Sequence, residues 1–123
     1  MLARAYRLRL GRDIDRVLRQ GRYGASGAIW CKALAGKSAD SRLAIVVSKK
    51  VSKKAVVRNR LRRRIAAHLA TSWQTVRPGY DIVISARIDV SEIAQTELTR
   101  DIDQALAKAG ILTSARTTSS AIN

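Results

Sequence analysis

A chain of 123 residues has room for one domain, and a hydrophobic fraction of 46% is that of a globular protein, not of a disordered one. A formal charge of +15 and an isoelectric point near 11.4 point to a polyanionic partner, nucleic acid before an anionic membrane surface. The longest apolar run, Leu43 to Val47, falls far short of the ~20 residues of a spanning helix, and one Cys31 with one His68 excludes an intrachain disulfide, a cysteine-based zinc site and paired-His metal ligation.

The N-terminus, Met1 to Arg7, is basic and lacks the apolar stretch of a secretory signal, so a cytoplasmic protein is expected. Between Gly11 and Gly21, Ile14, Val17 and Leu18 fall at i, i+3 and i+4. That spacing predicts a short amphipathic helix closed by a C-terminal glycine, with Arg12, Arg16 and Arg19 on its other face. Ala28 to Leu34 reads as a strand with Cys31 as a small core residue. The polar turn Gly36 to Ser41 leads into a second strand from Arg42 to about Lys49, and the two are expected to form a hairpin.

Beyond the basic segment, Arg77-Pro78-Gly79 makes a turn, and Tyr80 to Arg87 reads as a third strand whose apolar run suits a central position. Leu98, Ile102, Leu106 and Ala109 recur at helical spacing with Gly110 as the cap, which predicts a helix over about Glu97 to Ala109. Glu97, Asp101 and Asp103 lie toward its start, where they suit the helix N-terminus better than a metal site. Residues 1–112 therefore read as one domain and 113–123, small and polar, as a disordered tail.

The charge is concentrated between the second and third strands. From Ser41 to Tyr80 there are eleven Lys or Arg and no carboxylate. Wound at about 100° per residue, Val57, Leu61, Ile65, His68 and Leu69 share one side, so residues 55–70 form a docked helix with a core-facing stripe. Its remaining surface carries Arg58, Asn59, Arg60, Arg62, Arg63 and Arg64, preceded by Lys49, Lys50, Lys53 and Lys54. His68 falls on the packed side, which favours packing over catalysis. A charged helix face is ordinarily just solvated, but no acid lies near this one, and planar guanidinium groups suit phosphate. No helix-turn-helix, zinc finger or basic zipper is visible, and an arginine helix lodged between strands suits structured RNA.

The ordered set Tyr6-Arg7-Leu8, the short helix ending at Gly21, Val47-Ser48-Lys49-Lys50, Ala55-Val56-Val57-Arg58-Asn59-Arg60-Leu61-Arg62-Arg63 and Pro78-Gly79-Tyr80-Asp81-Ile82-Val83 resembles the bacterial ribonuclease P protein subunit. The resemblance spans about residues 4 to 112. It implies an α+β fold, an α/β sandwich with a four-stranded mixed sheet and a left-handed crossover, like the second domain of ribosomal protein S5. Three strands are legible and the fourth comes from the family.

In function, the resemblance implies the protein subunit of an endoribonuclease that removes the 5′ leader of precursor tRNA. A catalytic RNA, carrying most of the bound Mg2+, would hydrolyse the phosphodiester, so neither a catalytic residue nor a metal ligand is expected of the protein. By the same resemblance Lys49, Lys50, Lys53, Lys54, Arg58, Asn59, Arg60, Arg62, Arg63 and Arg64 bind the catalytic RNA. Arg7, Arg9, Ile14, Leu18, Trp30 and Lys32 line a cleft for the leader.

The chain also departs from the family. It has no Phe. Ile14 and Leu18 stand where relatives carry helix aromatics, Lys32 replaces a strand tyrosine, and Lys53-Lys54 replace a frequent Gly-Asn pair. Alternation puts Trp30 on the same strand face as Lys32, so Trp30 is expected to supply the stacking surface, with a plain core Trp as the equal alternative. The other functional class that fits is a ribosomal or RNA-assembly binding protein with no enzymatic context.

Overall fold

The spacings above resolve into three helices and four strands among the residues that the computed structural model describes, 6–9, 11–87 and 92–113. In chain order they are α1 (Gly11–Gln20), β1 (Arg22–Ser26), β2 (Ile29–Ala35), β3 (Arg42–Ile45), α2 (Ala55–Ser72), β4 (Tyr80–Ala86) and α3 (Gln95–Lys108), with a 3-10 turn at Trp73–Thr75. The sheet order is β1-β2-β4-β3. β2 pairs antiparallel with β1 and with β4, whereas β3 and β4 run parallel, so the sheet is mixed and α2 makes the crossover.

The expected hairpin between the strands at Ala28–Leu34 and Arg42–Lys49 does not form, because β4 lies between them. Burial decides this. Ile82, Val83 and Ile84 are fully buried, so β4 carries apolar side chains on both faces and takes an interior place between β2 and β3. The hairpin partner of β2 is instead β1, the strand not legible from apolar pattern, joined through Gly27. Gly27 has φ of 53°, and a Cβ there would lie 2.4 Å from an Asp101 carboxylate oxygen. β3 also ends earlier than expected, at Ile45. Val46 still donates to Ile84 O at 3.0 Å, and the chain then turns at Ser48.

Alternation sorts the sheet's two faces. On one, Ile29, Cys31, Leu43, Ile82 and Ile84 pack against Leu61, Ile65 and Leu69 of α2 and Leu98, Ile102 and Leu106 of α3. On the other, Ala44 and Val83 pack with Leu8 and Val17, flanked by the part-buried Ile14, Leu18, Trp30 and Leu34. Among the described helices, α1 alone covers this second face, with Leu8 beside it.

Two of the three acids expected to serve the start of α3 have other work; only Glu97 lies in its first turn. Asp101 points inward, 6% exposed, and accepts the Ala28 N–H at 3.2 Å, which secures the turn between β1 and β2. Asp103 sits 2.8 Å from His68 Nε2 and ties α3 to α2, so the single histidine is a packing residue at that seam. Residues 114–123, which hold nearly all of the expected tail, lie outside the described residues.

Candidate nucleic-acid interface

The segment before α2 is shaped by one apolar residue among cations. Val51, 6% exposed, is buried in the main core, and the Val51 N–H donates to Ser48 O at 3.0 Å. Hydroxyl-closed turns follow, Ser48 Oγ accepting from the Lys50 N–H and Ser52 Oγ from the Lys54 N–H, each at 3.2 Å. With Val51 anchored, Lys49, Lys50, Lys53 and Lys54 all face solvent around the first turn of α2. That turn contains no acidic residue, and Lys54 caps it without a side-chain hydrogen bond. The free N–H groups and the positive end of the helix dipole therefore add to the lysines instead of being offset.

The five arginines of α2 divide by what they touch. Arg58 folds back, its Nη1 donating to the carbonyls of Ser52 and Lys53 at 3.0 Å each, and so stitches the lysine loop to the helix. Arg64 reaches the other way: Nε donates to Gln95 Oε1 at 3.0 Å and Nη2 to Ile93 O at 2.7 Å, which fastens the start of α3. Arg62 donates to Asn59 Oδ1. Arg60 and Arg63 are exposed and have no hydrogen-bond or ion-pair partner among the described residues. All ten residues assigned to catalytic-RNA binding thus lie on the lysine loop and the first part of α2, yet they are not equally free to bind.

The six residues of the expected leader cleft fall into two neighbouring places. Residues 7–9 run beside β3, with the Leu8 N–H donating to Leu43 O at 2.8 Å. Arg7, Arg9 and Ile14 then line a groove with Arg62 and Arg63 of α2 and with Val46, an exposed apolar residue that the sequence pattern assigns only to a strand. Leu18 lies farther along α1, and Trp30 and Lys32 lie on β2. Lys32 donates to Leu18 O at 2.5 Å and so closes the C-terminal turn of α1.

Trp30 is part-buried against the second core and carries a ring partner, Tyr23 of β1, with centroids 6.4 Å apart and planes 22° from parallel. Tyr23 is 54% exposed. Sequence reading overlooked it because β1 itself was unrecognised; its one signal was an aromatic directly after the capping glycine. The pair presents aromatic surface to solvent on the face that α1 leaves partly open.

Asp81 and the cysteine are committed to the fold. Asp81, fully buried, accepts from Arg42 Nε at 3.0 Å and Nη2 at 2.9 Å, and from Arg16 Nη2 at 3.3 Å. The hydrogen bond to Asp81, with the attraction of Asp81 and Asp13, raises the Arg42 guanidinium above its ordinary value against the opposing effect of burial. Burial pushes the Cys31 thiol up to about 12, and its Sγ donates to Ala105 O at 3.4 Å. A thiol so protonated is no nucleophile.

Comparison with known proteins agrees with this geometry. Residues 2–110 match the Ribonuclease P family. A protein of Roseiflexus sp. (strain RS-1) described as ribonuclease P protein component is 38% identical over 112 residues, covering 90% of this chain and 91% of the relative. One from Synechocystis sp. with the same description is 35% identical, covering 90% of each chain. Among solved structures, the ribonuclease P protein of Thermotoga maritima superposes with a TM-score of 0.73 at 27% identity, covering 81% of this chain and 94% of that one. That of Staphylococcus aureus gives a TM-score of 0.79 at 24% identity, covering 89% and 100%, and shows the same fold.

Proposed function

The chain belongs to the ribonuclease P protein family, and from that premise we propose that its arginine helix holds the catalytic RNA of this tRNA-processing ribonuclease while the face between α1 and the sheet holds the 5′ leader of precursor tRNA. One observation carries the reading: Asn59, Arg60 and Arg63 face solvent beside four exposed lysines at an acid-free helix N-terminus. Each cation placed against the positive end of a helix dipole forfeits about 0.3–1 kcal/mol that an anion would contribute there. RNA phosphates reverse that sign, and the folded chain keeps the arrangement because its partner completes it.

In this reading the protein supplies position and charge, and the RNA, with its bound Mg2+, supplies the hydrolysis. Among the described residues no group of three or more His, Cys, Asp or Glu gathers. Asp81 and Asp101 hold arginines and a backbone turn. His68 contacts Asp103. What the protein does at the leader is bind single-stranded backbone with Arg7 and Arg9 and offer Trp30 and Tyr23 as stacking surface for bases. Cations placed between leader and catalytic RNA reduce the repulsion that Mg2+ otherwise screens. The complex acts in the cytoplasm in this reading; no described helix is long and apolar enough to cross a membrane.

Reconstitution tests the proposal. Added to a bacterial ribonuclease P RNA and precursor tRNA at low Mg2+, the protein should accelerate cleavage at the mature 5′ end. Protein that binds the RNA but leaves its cleavage rate unchanged would be an RNA-binding protein without enzymatic context, and the proposal would fall.

A further inference from the structure

We propose that a basic groove on the opposite flank of α1 is a second RNA-backbone site, which takes leader phosphates beyond those at the aromatic pair. The proposal rests on the assignment of the leader to this face. Arg12, Asp13, Arg16 and Arg19 of α1 face Lys37 and Arg42 across the groove. The three arginines recur at i, i+4 and i+7, a row about 10 Å long at 1.5 Å per residue. Ile14 and Leu18 occupy the other flank of the same helix, on the side of the groove shared with α2.

This groove is built, unlike a chance scatter of surface charge. Its floor is Asp81, 1% exposed at the side chain, which fixes Arg16 and Arg42 from beneath. Gly36 allows the loop between β2 and β3 to press against that carboxylate, since a Cβ there would lie 2.7 Å from Asp81 Oδ1. The same loop is pinned at both ends, the Gly36 N–H donating to Gly79 O at 2.8 Å and the Tyr80 N–H to Ser41 Oγ at 2.9 Å. Lys37 is therefore carried on a fixed loop. Five cations (Arg12, Arg16, Arg19, Lys37, Arg42) against two carboxylates (Asp13, Asp81) leave a net charge of +3. Arg12, Arg19 and Lys37 are exposed, with no hydrogen-bond or ion-pair partner among the described residues.

Position selects the leader over the catalytic RNA. α1 stands between this groove and α2, so a rigid RNA seated on the arginine helix would have to fold around α1 to reach it. A single strand needs no such rigidity. Trp30 packs with Ile14 and Leu18 on the other flank of α1, so a strand passing from the aromatic pair to the groove turns around the C-terminal end of the helix, where Lys32 donates to Leu18 O and stands opposite Tyr23 in the ladder between β1 and β2. A strand whose bases lie on Tyr23 and Trp30 can thus carry its next phosphates along the arginine row.

The test uses the reconstituted holoenzyme with the variant Arg12→Ala/Arg19→Ala/Lys37→Ala, a short-leader precursor, an extended-leader precursor and mature tRNA. Wild-type complex should bind the extended-leader precursor with a steeper dependence of log affinity on log salt than the short-leader one. The variant should abolish that difference, its slope falling by about 2 for three lost single-strand phosphate contacts at ~0.7 each. Binding of mature tRNA and assembly with the catalytic RNA should not change. An unchanged slope would show a merely solvated face, and an equal fall in assembly with the catalytic RNA would give the groove to that RNA; either overturns the proposal. Wild-type complex that binds precursor and mature tRNA alike would overturn the parent reading as well, and is recognised without the variant.

Discussion

Charge alone makes the arginines of α2 equivalent, whereas their contacts predict two classes. In Arg60→Ala/Arg63→Ala, two exposed guanidinium groups with no partner among the described residues are removed. In Arg58→Ala/Arg64→Ala, four hydrogen bonds at 2.7 to 3.0 Å are removed as well. If Arg60 and Arg63 each neutralise one phosphate of structured RNA, the slope of log affinity against log salt falls by about 1.8 at ~0.9 per contact. Between 50 and 200 mM salt the wild-type protein should therefore lose about tenfold more affinity than this variant. Its unfolding free energy in urea should stay within the ±0.5 kcal/mol usual for surface changes. The second variant should behave oppositely. Hydrogen bonds of about 1 kcal/mol each, partly replaced by water at this exposed site, predict a loss of ~1–3 kcal/mol, with a smaller change in salt slope. Filter binding to a bacterial ribonuclease P RNA and urea denaturation measure the two quantities. Equal slopes and equal stabilities for the two variants would refute the division.

Three further perturbations follow from the same contacts. Asp81→Asn removes the charge that two arginines share; because those arginines are a quarter to a third exposed, screening reduces the expected loss to about 2–3 kcal/mol in urea unfolding, and a loss under ~0.5 would mean that water serves them equally well. Tyr23→Ala should weaken precursor binding by about 1–3 kcal/mol per unstacked base and leave mature tRNA unaffected, whereas an equal loss for both places the ring pair outside the leader path. Cys31 has a folded pKa of about 12 against 9.0 when free, so its contribution is fully present below pH 9 and is lost as pH rises toward 12. Relative to Cys31→Ala, the wild-type protein should lose stability across that alkaline window by about a few kcal/mol, and parallel pH profiles would contradict the burial argument.

The helices and the central strand were legible because burial writes them into side-chain spacing. Leu61, Ile65 and Leu69 are buried as the wheel requires, and Ile82 to Ile84 form the doubly covered strand. β1 left no such trace. In Arg22–Ser26 only Gly24 is buried, so the strand has no apolar alternation to read. Its basis is an absence of side chain: a Cβ on Gly24 would lie 2.3 Å from Ala105 O and 2.5 Å from Ala109 N, so the strand exists where α3 can approach its backbone. The misread hairpin has a related cause, since proximity in sequence favoured pairing β2 with β3 while the placement of β4 depends on burial across the whole sheet. Arg58 and Arg64 could not be told from Arg60 and Arg63 in the sequence, because the groups that engage Arg64 lie 29 and 31 residues away.

That distant contact also explains where the RNA-facing surface stops. From Lys49 to Arg64 the chain carries nine Lys or Arg, and from Ile65 to Val76 it carries none. The two halves of α2 meet different neighbours: the first borders solvent and the lysine loop, the second borders α3, where Asp103 contacts His68. A cation on the α3-facing side past Arg64, as at His68, would meet Asp103 and fold into an ion pair, as Arg16 and Arg42 do with Asp81, and so would be withdrawn from any external phosphate. Arg64 stands at the boundary with its guanidinium already turned toward Gln95 and Ile93. Segregating acids from the first half of α2 thus keeps its arginines unpaired, and the cost in helix stability is offset only when an anion arrives.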